Sequence, residues 1–302
     1  MKYLIWLPWF IALTLTSVGS AQDKVDIAAT DLGGGVFMLS GSGGNMGLST
    51  GNDGAFLVDD QFAPLSDEIK ATIAKLSKSP VKFWVNTHWH GDHTGGNENF
   101  GTDGAIIVAH DNVRERLSSD QFIEMFNSNV KASPKNALPI ITFYREISFF
   151  QNGQSIRLLH VKNAHTDGDA FVYFYEADVM HMGDVFFNGS YPFIDVGNGG
   201  SIDGVIAAQK LALVWMTDRT KIIPGHGPLA SRSDLVEHRQ MLIEVRDAVA
   251  ATIDRGLSVE QAVAADPLSA LNAKWGNGFI KSEVMVKMVY EDLVKNASKT
   301  AN

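Results

Sequence analysis

The chain has 302 residues, 45% of them hydrophobic, a formal net charge of −9 and no cysteine. That length can bury one large core or two modest ones. The acidic balance argues against a nucleic-acid partner, and the absence of thiols excludes disulfide bracing and attachment through an N-terminal lipidated cysteine.

Lys2, an apolar run from Tyr3 to about Val18 and the small residues Gly19-Ser20-Ala21 have the order of a secretory signal peptide. Cleavage after Ala21 is expected, leaving residues 22–302 as the mature protein, periplasmic or secreted, with no stable membrane anchor. An uncleaved anchor is the weaker reading, because the run is short for a span of about 20 residues and ends in small residues.

No internal repeat or long linker interrupts the rest of the chain. Ala55–Asp59 (AFLVD) reads as a buried strand, and Leu65, Ile69, Ile73 and Leu76 then recur at helical spacing. Val81–Asn86 and Ala105–Ala109 are further strands, and this β-α-β alternation points to an α/β layered fold. Asn112–Val130 is expected to be helical up to the break at Ser133-Pro134. Ile141–Phe150 and Ile156–Val161 flank Gln151-Asn152-Gly153, a hairpin signal because Asn-Gly accepts positive φ. Ala170–Tyr175 and Asp178–Met182 are short strands, Gly204–Met216 a helix, and Lys221–Ile223 a strand entering Pro224-Gly225-His226. The C-terminal end reads as helical. Leu235, His238, Leu242, Val245, Val249 and Ile253 share a face, with Ser233 or Asp234 as cap and Gly256 as stop. Ser258 with Gln261 opens the next helix as a capping box, and Ser282–Lys295 is the last. Residues 22–302 are expected to form a single domain.

Four segments that each follow a strand carry metal-ligating side chains. In Thr87-His88-Trp89-His90-Gly91-Asp92-His93-Thr94-Gly95-Gly96, three imidazoles and a carboxylate fall within six residues, and these are donors that zinc accepts at catalytic sites. On an extended turn His88 and His90 can face one ion while Asp92 and His93 face another. His165, in Ala164–Asp169, is the natural third ligand of the first ion, whereas His160 inside a strand suits a sheet position. Asp184, after Met182-Gly183, can bridge two cations with one oxygen each. His226, between Gly225 and Gly227, completes the second. His110, His181 and His238 lie in strand or helix contexts and are expected to be structural.

These motifs, in this order, resemble the metallo-β-lactamase superfamily from about Gly33 to Pro228. The resemblance implies a four-layer αββα sandwich with the metals in a cleft at one edge of the sheets. It implies that two zinc ions are the cofactors: His88, His90 and His165 on the first, Asp92, His93 and His226 on the second, and Asp184 between them. It further implies a metal-bound hydroxide as nucleophile, oriented by Asp92, acting on an ester, thioester, lactone or amide carbonyl of a small-molecule substrate.

Histidine at position 90 disfavours the diiron flavoprotein branch, which places glutamate there. Branches with a cysteine ligand are excluded, and aspartate at 184 resembles thioester, lactone and phosphodiester hydrolases. β-Lactam hydrolysis is the alternative, weakened by phenylalanine rather than lysine at position 187. A non-catalytic metal-binding protein is less favoured, and a Ser-His-Asp hydrolase is set aside on the expectation that the chain has no Gly-x-Ser-x-Gly elbow. Phe186, Phe187, Tyr191 and Phe193 are candidates for the walls of an apolar pocket, and Gly43–Gly47 for a flexible hairpin beside it.

Overall fold

A computed structural model describes residues 25–300 of the protein; the expected signal peptide lies outside the described residues. Two sheets face each other. The first contains β1 (Ala28–Gly33), β2 (Val36–Ser40), β3 (Met46–Ser49), β4 (Ala55–Val58), β5 (Val81–Val85), β6 (Ile106–His110) and β9 (Ile141–Phe143), in that order. A separate ribbon pairs β7 (Gln121–Ile123) with β8 (Ser128–Val130). The second sheet runs β10 (Glu146–Gln151), β11 (Gln154–His160), β12 (Ala170–Phe174), β13 (Val179–His181), β14 (Lys221–Ile223) and β15 (Ala230–Ser231).

The central strands are apolar at consecutive positions because both faces are covered. Along β4, Phe56 and Val58 enter the seam between the sheets, while Ala55 and Leu57 point the other way. Val172 and Phe174 of β12 meet them in the seam, and Phe171 and Tyr173 face outward. Such alternation is the period of two of an extended chain. Outside the first sheet, Ile69 and Ile73 of α1 (Ser66–Leu76) and Phe100 of α3 (Asn97–Thr102) pack on Leu57 and Trp84; the short α2 (Gly91–Thr94) precedes α3, and α4 (Asp111–Leu117) follows β6. Outside the second sheet lie α5 (Ile202–Trp215), α6 (Arg232–Asp254), α7 (Val259–Ala264), α8 (Ser269–Trp275) and α9 (Ser282–Thr300), closing a core around Val205, Leu242, Val245 and Val289. The order of layers is therefore α, β, β, α. Among the described residues no helix is long and apolar enough to cross a membrane.

Three sequence expectations need correction. Asn112–Val130 is not one helix: α4 stops at Leu117, and the chain then forms the ribbon β7–β8, turning through Asn127 at φ 46°. Its apolar residues mislead because Ile123 and Phe126 line a cleft instead of a helical core face. Ile141–Phe150 divides into β9 and β10, which belong to different sheets, so only β10 and β11 form the expected hairpin; Asn152 and Gly153 turn it at φ 55° and 71°. Helix α6 is capped by Ser231, with Asp234 as its reciprocal partner, not by Ser233 or Asp234.

Candidate metal centre

Parallel pairing sends β4 and β5, and likewise β13 and β14, to the same end of the sandwich. Loops leaving the carboxyl ends of such strands are where α/β folds bind ligands. Asp59 follows β4, His88, His90, Asp92 and His93 follow β5, Asp184 follows β13 and His226 follows β14; His165 enters from the β11–β12 connection. All seven sequence-derived candidates converge there. His88, His90, His165 and Asp184 present one ligand atom each within 4.8 Å of one another, as do Asp92, His93, Asp184 and His226.

Asp184 belongs to both groups, and its two oxygens divide between them. Its Oδ2 lies 3.8 Å from His88 Nε2 and 3.5 Å from His165 Nε2, whereas Oδ1 lies 3.0 Å from His93 Nε2 and 3.5 Å from His226 Nε2. Asp92 Oδ2 is 3.1 Å from His226 Nε2. Gly225 permits this closeness, since a Cβ there would stand 2.0 Å from Asp184 Oδ1.

The outer partners of each imidazole decide which nitrogen faces inward. Carboxylates and carbonyls only accept, so a ring nitrogen bonded to one carries the proton. His90 Nε2 donates to Asp195 Oδ2 at 2.9 Å, His93 Nδ1 to Asp59 Oδ2 at 2.8 Å, and His165 Nδ1 to the Phe193 carbonyl at 2.8 Å. Thr87 Oγ1 gives its hydrogen to Asp59 at 2.7 Å and so accepts from His88 Nδ1 at 3.1 Å. Four lone pairs are thereby aimed at the centre. His90 Nδ1 and His165 Nε2 meet at 2.8 Å with no proton left between them. His88 Nε2, His93 Nε2 and Asp184 Oδ1 are buried without a hydrogen-bond partner. Buried acceptors pointed at one another repel unless a cation stands among them. The donor set fits metal ions.

Electrostatics divide the two groups: burial opposes charging His93 and His226, but Asp184 outweighs it and raises His93 well above its ordinary range and His226 to about 9, so positive charge is favoured beside Asp92 and Asp184. Burial, then the neighbouring His93, holds the His88 imidazole well below its ordinary range, and burial takes His165 down to about 4, so both are neutral donors. Burial opposes ionisation of Asp92, but His93 and His226 outweigh it and bring Asp92 down to about 2.

Sequence reasoning missed the positioning groups. Asp59, at φ 61°, accepts from the Thr87 amide and hydroxyl and from His93; strain of that kind clusters at functional sites. Asp195 is itself held by the Asn198 side chain at 2.9 Å, and Arg116 donates to Asn198 at 2.8 Å. A paired carboxylate at the end of the wholly apolar strand AFLV was the only signal available for Asp59.

The other histidines lie elsewhere. His160 ends β11, stacks on His110 at 3.6 Å and donates to the Asp169 carbonyl. His181 reaches the Asn45 carbonyl at 3.0 Å, and His238 packs between Phe186 and Trp275.

Phe187, Tyr191 and Phe193 line the cleft above the centre, about 580 Å³ in volume, while Phe186 belongs to the core. The Gly43–Gly47 turn is tied down, not loose: Asn45 Nδ2 donates to the Pro224 and Gly227 carbonyls, both at 2.9 Å. A Gly-x-Ser-x-Gly spacing does occur once, at Gly47–Gly51, but Ser49 is buried within β3 and pairs with Val36 and Phe56. It is no strand-to-helix elbow.

A model of the metallo-beta-lactamase superfamily matches residues 39–237, more than half of the chain. The protein belongs to the metallo-β-lactamase superfamily. It is a hydrolase of that superfamily. Its fold is similar to that of a metallo-beta-lactamase from Pontibacter korlensis, at 20% identity and a TM-score of 0.59 over 72% of this chain and 99% of the other. The DIM-1 metallo-beta-lactamase matches at 17% identity and TM-score 0.60, over 73% of this chain and 99% of the other. The sec-alkylsulfatase Pisa1 from Pseudomonas sp. matches at 16% and 0.65, over 88% of this chain but 50% of its own. At these identities the likeness is one of superfamily fold.

Proposed function

We propose that this metallo-β-lactamase superfamily member is an exported dinuclear zinc hydrolase of a small ester, thioester, lactone or amide. The observation that carries the reading is the division of Asp184, one oxygen toward His88 and His165 and the other toward His93 and His226. In this reading His88, His90 and His165 would hold one ion and Asp92, His93 and His226 the other, with Asp184 shared between the two groups. Bound there, the ions supply electrophilic polarisation of a carbonyl and an activated water. Asp92, ionised and on the floor of the cleft, orients that water and receives its hydrogen bond. Asp195 and Asp59 keep the imidazole lone pairs aimed inward. Lys2, the apolar run and Gly19–Ala21 support export, with a mature terminus at Gln22.

β-Lactam hydrolysis is the second reading, favoured by the fold shared with two β-lactamases. Against it, neither lysine nor arginine lines the cleft among the described residues. Loss of a charge-assisted contact to a substrate carboxylate costs about 1.5–3 kcal/mol. The test is elemental analysis with a substrate panel of lactone, thioester, phosphodiester and β-lactam. About two zinc ions per chain are expected, with Asp184→Asn depleting the second most, and turnover of a carbonyl substrate with slow β-lactam cleavage. A single tightly held ion unchanged in Asp184→Asn would refute the metal assignment. A kcat/KM for penicillins or carbapenems near ~10⁶ M⁻¹ s⁻¹ would promote the second reading.

A further inference from the structure

The floor of the cleft is polar and its walls are not. Phe62, Phe126, Phe187, Tyr191, Phe193 and Phe279 surround it, and the Tyr191 hydroxyl is turned away to Asn272 at 3.1 Å, leaving the ring as the lining surface. On one side these rings form a continuous path. Phe193 stacks on His90 at 5.6 Å and meets His165 edge-on at 5.5 Å; Phe126 of the β7–β8 ribbon lies 5.0 Å from Phe193, and Phe279 of the α8–α9 connection lies 5.7 Å from Phe126. The path thus leads from the His88/His90/His165 group to the surface, where Phe126 is 42% exposed and Phe279 76%. Phe62 faces the same cleft at 43% exposure.

Large rings left in water around a concave site mark the place an apolar ligand covers. The charges at the cleft point the same way. Its carboxylates are Asp92 and Asp184, no lysine or arginine faces it among the described residues, and the chain as a whole carries −9. Above the metal centre, whose ions and His226 would draw an anion only to the floor, the walls offer an anionic substituent no side-chain cation, whereas a hydrocarbon chain finds three successive rings.

We infer that the substrate is a neutral acyl compound, an ester or thioester whose alkyl or aryl acyl chain lies along Phe193, Phe126 and Phe279. This rests on the carbonyl-hydrolase reading above and specifies it. Hydrolysis along this path breaks the acyl carbon–oxygen or carbon–sulfur bond. Water supplies the hydroxyl of the released acid, and its proton leaves with the alcohol or thiol.

Two measurements on the zinc-loaded protein test the inference. In the first, calorimetry follows binding of uncleavable neutral 2-alkanones of increasing length. Kd should fall about two- to fourfold per added methylene, as for methylenes leaving water. Phe126→Ala and Phe279→Ala should flatten that slope, Phe279→Leu should retain most of it, and Phe150→Ala, an exposed ring on β10 outside the cleft, should not alter it. In the second, the ratio of kcat/KM for decanoyl over acetyl thioester should exceed one in the wild type and drop about tenfold in Phe279→Ala. A Kd independent of ketone length, or a slope untouched by both alanine variants, overturns the subsite. Length-dependent ketone binding without turnover of any carbonyl compound would leave the subsite standing and remove the reaction assigned to it.

Discussion

Each imidazole at the centre is only as good a donor as the group behind it. Asp195 fixes the proton of His90 on Nε2, and Asn198 and Arg116 fix Asp195 in turn. Asp195→Ala should free the His90 ring to adopt the wrong tautomer or rotate, and should weaken metal binding by about 10–100-fold. Competition with a chromophoric chelator measures it, and an unchanged affinity would show that packing against Phe193 alone orients the ring. Gly44 is a position of the opposite kind, where nothing is contributed but space. A Cβ there would lie 2.0 Å from His93 Cε1. Gly44→Ala is therefore expected to push His93 off Asp59 and deplete the Asp92/His93/His226 group, with the loss read as metal per chain.

The elements show which parts of this arrangement a sequence can state. Central strands such as AFLV and VKFWV were legible because short apolar runs bounded by turns, the second broken only by the exposed Lys82, have few other uses. The His-x-His-x-Asp-His segment was legible because its ligands are neighbours in the chain. Asp195 and Asp59 were not, since each reaches a histidine more than 30 positions away and nothing local distinguishes it from a surface carboxylate. The β7–β8 ribbon was misread for a related reason: apolar residues announce burial but not whether core or cleft receives them. Caps were legible only in part: the Ser258–Gln261 box of α7 stands as the sequence implied, whereas the α6 cap lies at Ser231 and not at Ser233 or Asp234. At α6 the Ser231 amide donates to Asp234 at 2.8 Å while Ser231 Oγ accepts from the Asp234 amide at 3.4 Å. Ser231→Ala should cost about 1 kcal/mol, equivalent to about 2–4 °C in melting temperature for a chain of this size. A scan at fixed zinc concentration checks this, and a shift under half a degree would mean that solvent caps the helix equally well.

Across the whole molecule, histidines away from the centre are buried as neutral rings. Burial pushes His238 down to about 3 and His160 to about 4, and lowers His110 and His181 as well. An unfolded chain binds protons at these rings below about pH 6.5 while the folded chain does not, so the unfolded state gains protons first. Their contribution is present above pH 6.5 and lost as pH falls toward the folded values. Asp169, which burial raises to about 8, works in the opposite direction over the same range, so the test is the difference between variants: in urea unfolding of the chelated protein from pH 6.5 to 4, His238→Gln should lose less stability than the wild type, and an equal loss in both would contradict the burial argument. The centre adds a different kind of coupling. Four of its seven inward side chains arrive from residues 88–93 after the first sheet, and three from positions 165, 184 and 226 in the second. Neither half alone offers more than a partial set of ligands, so tight capture must wait until the two halves have closed on each other. An ion held there records that assembly is finished, and a chelator acts first on the clasp between the halves, before either half is disturbed.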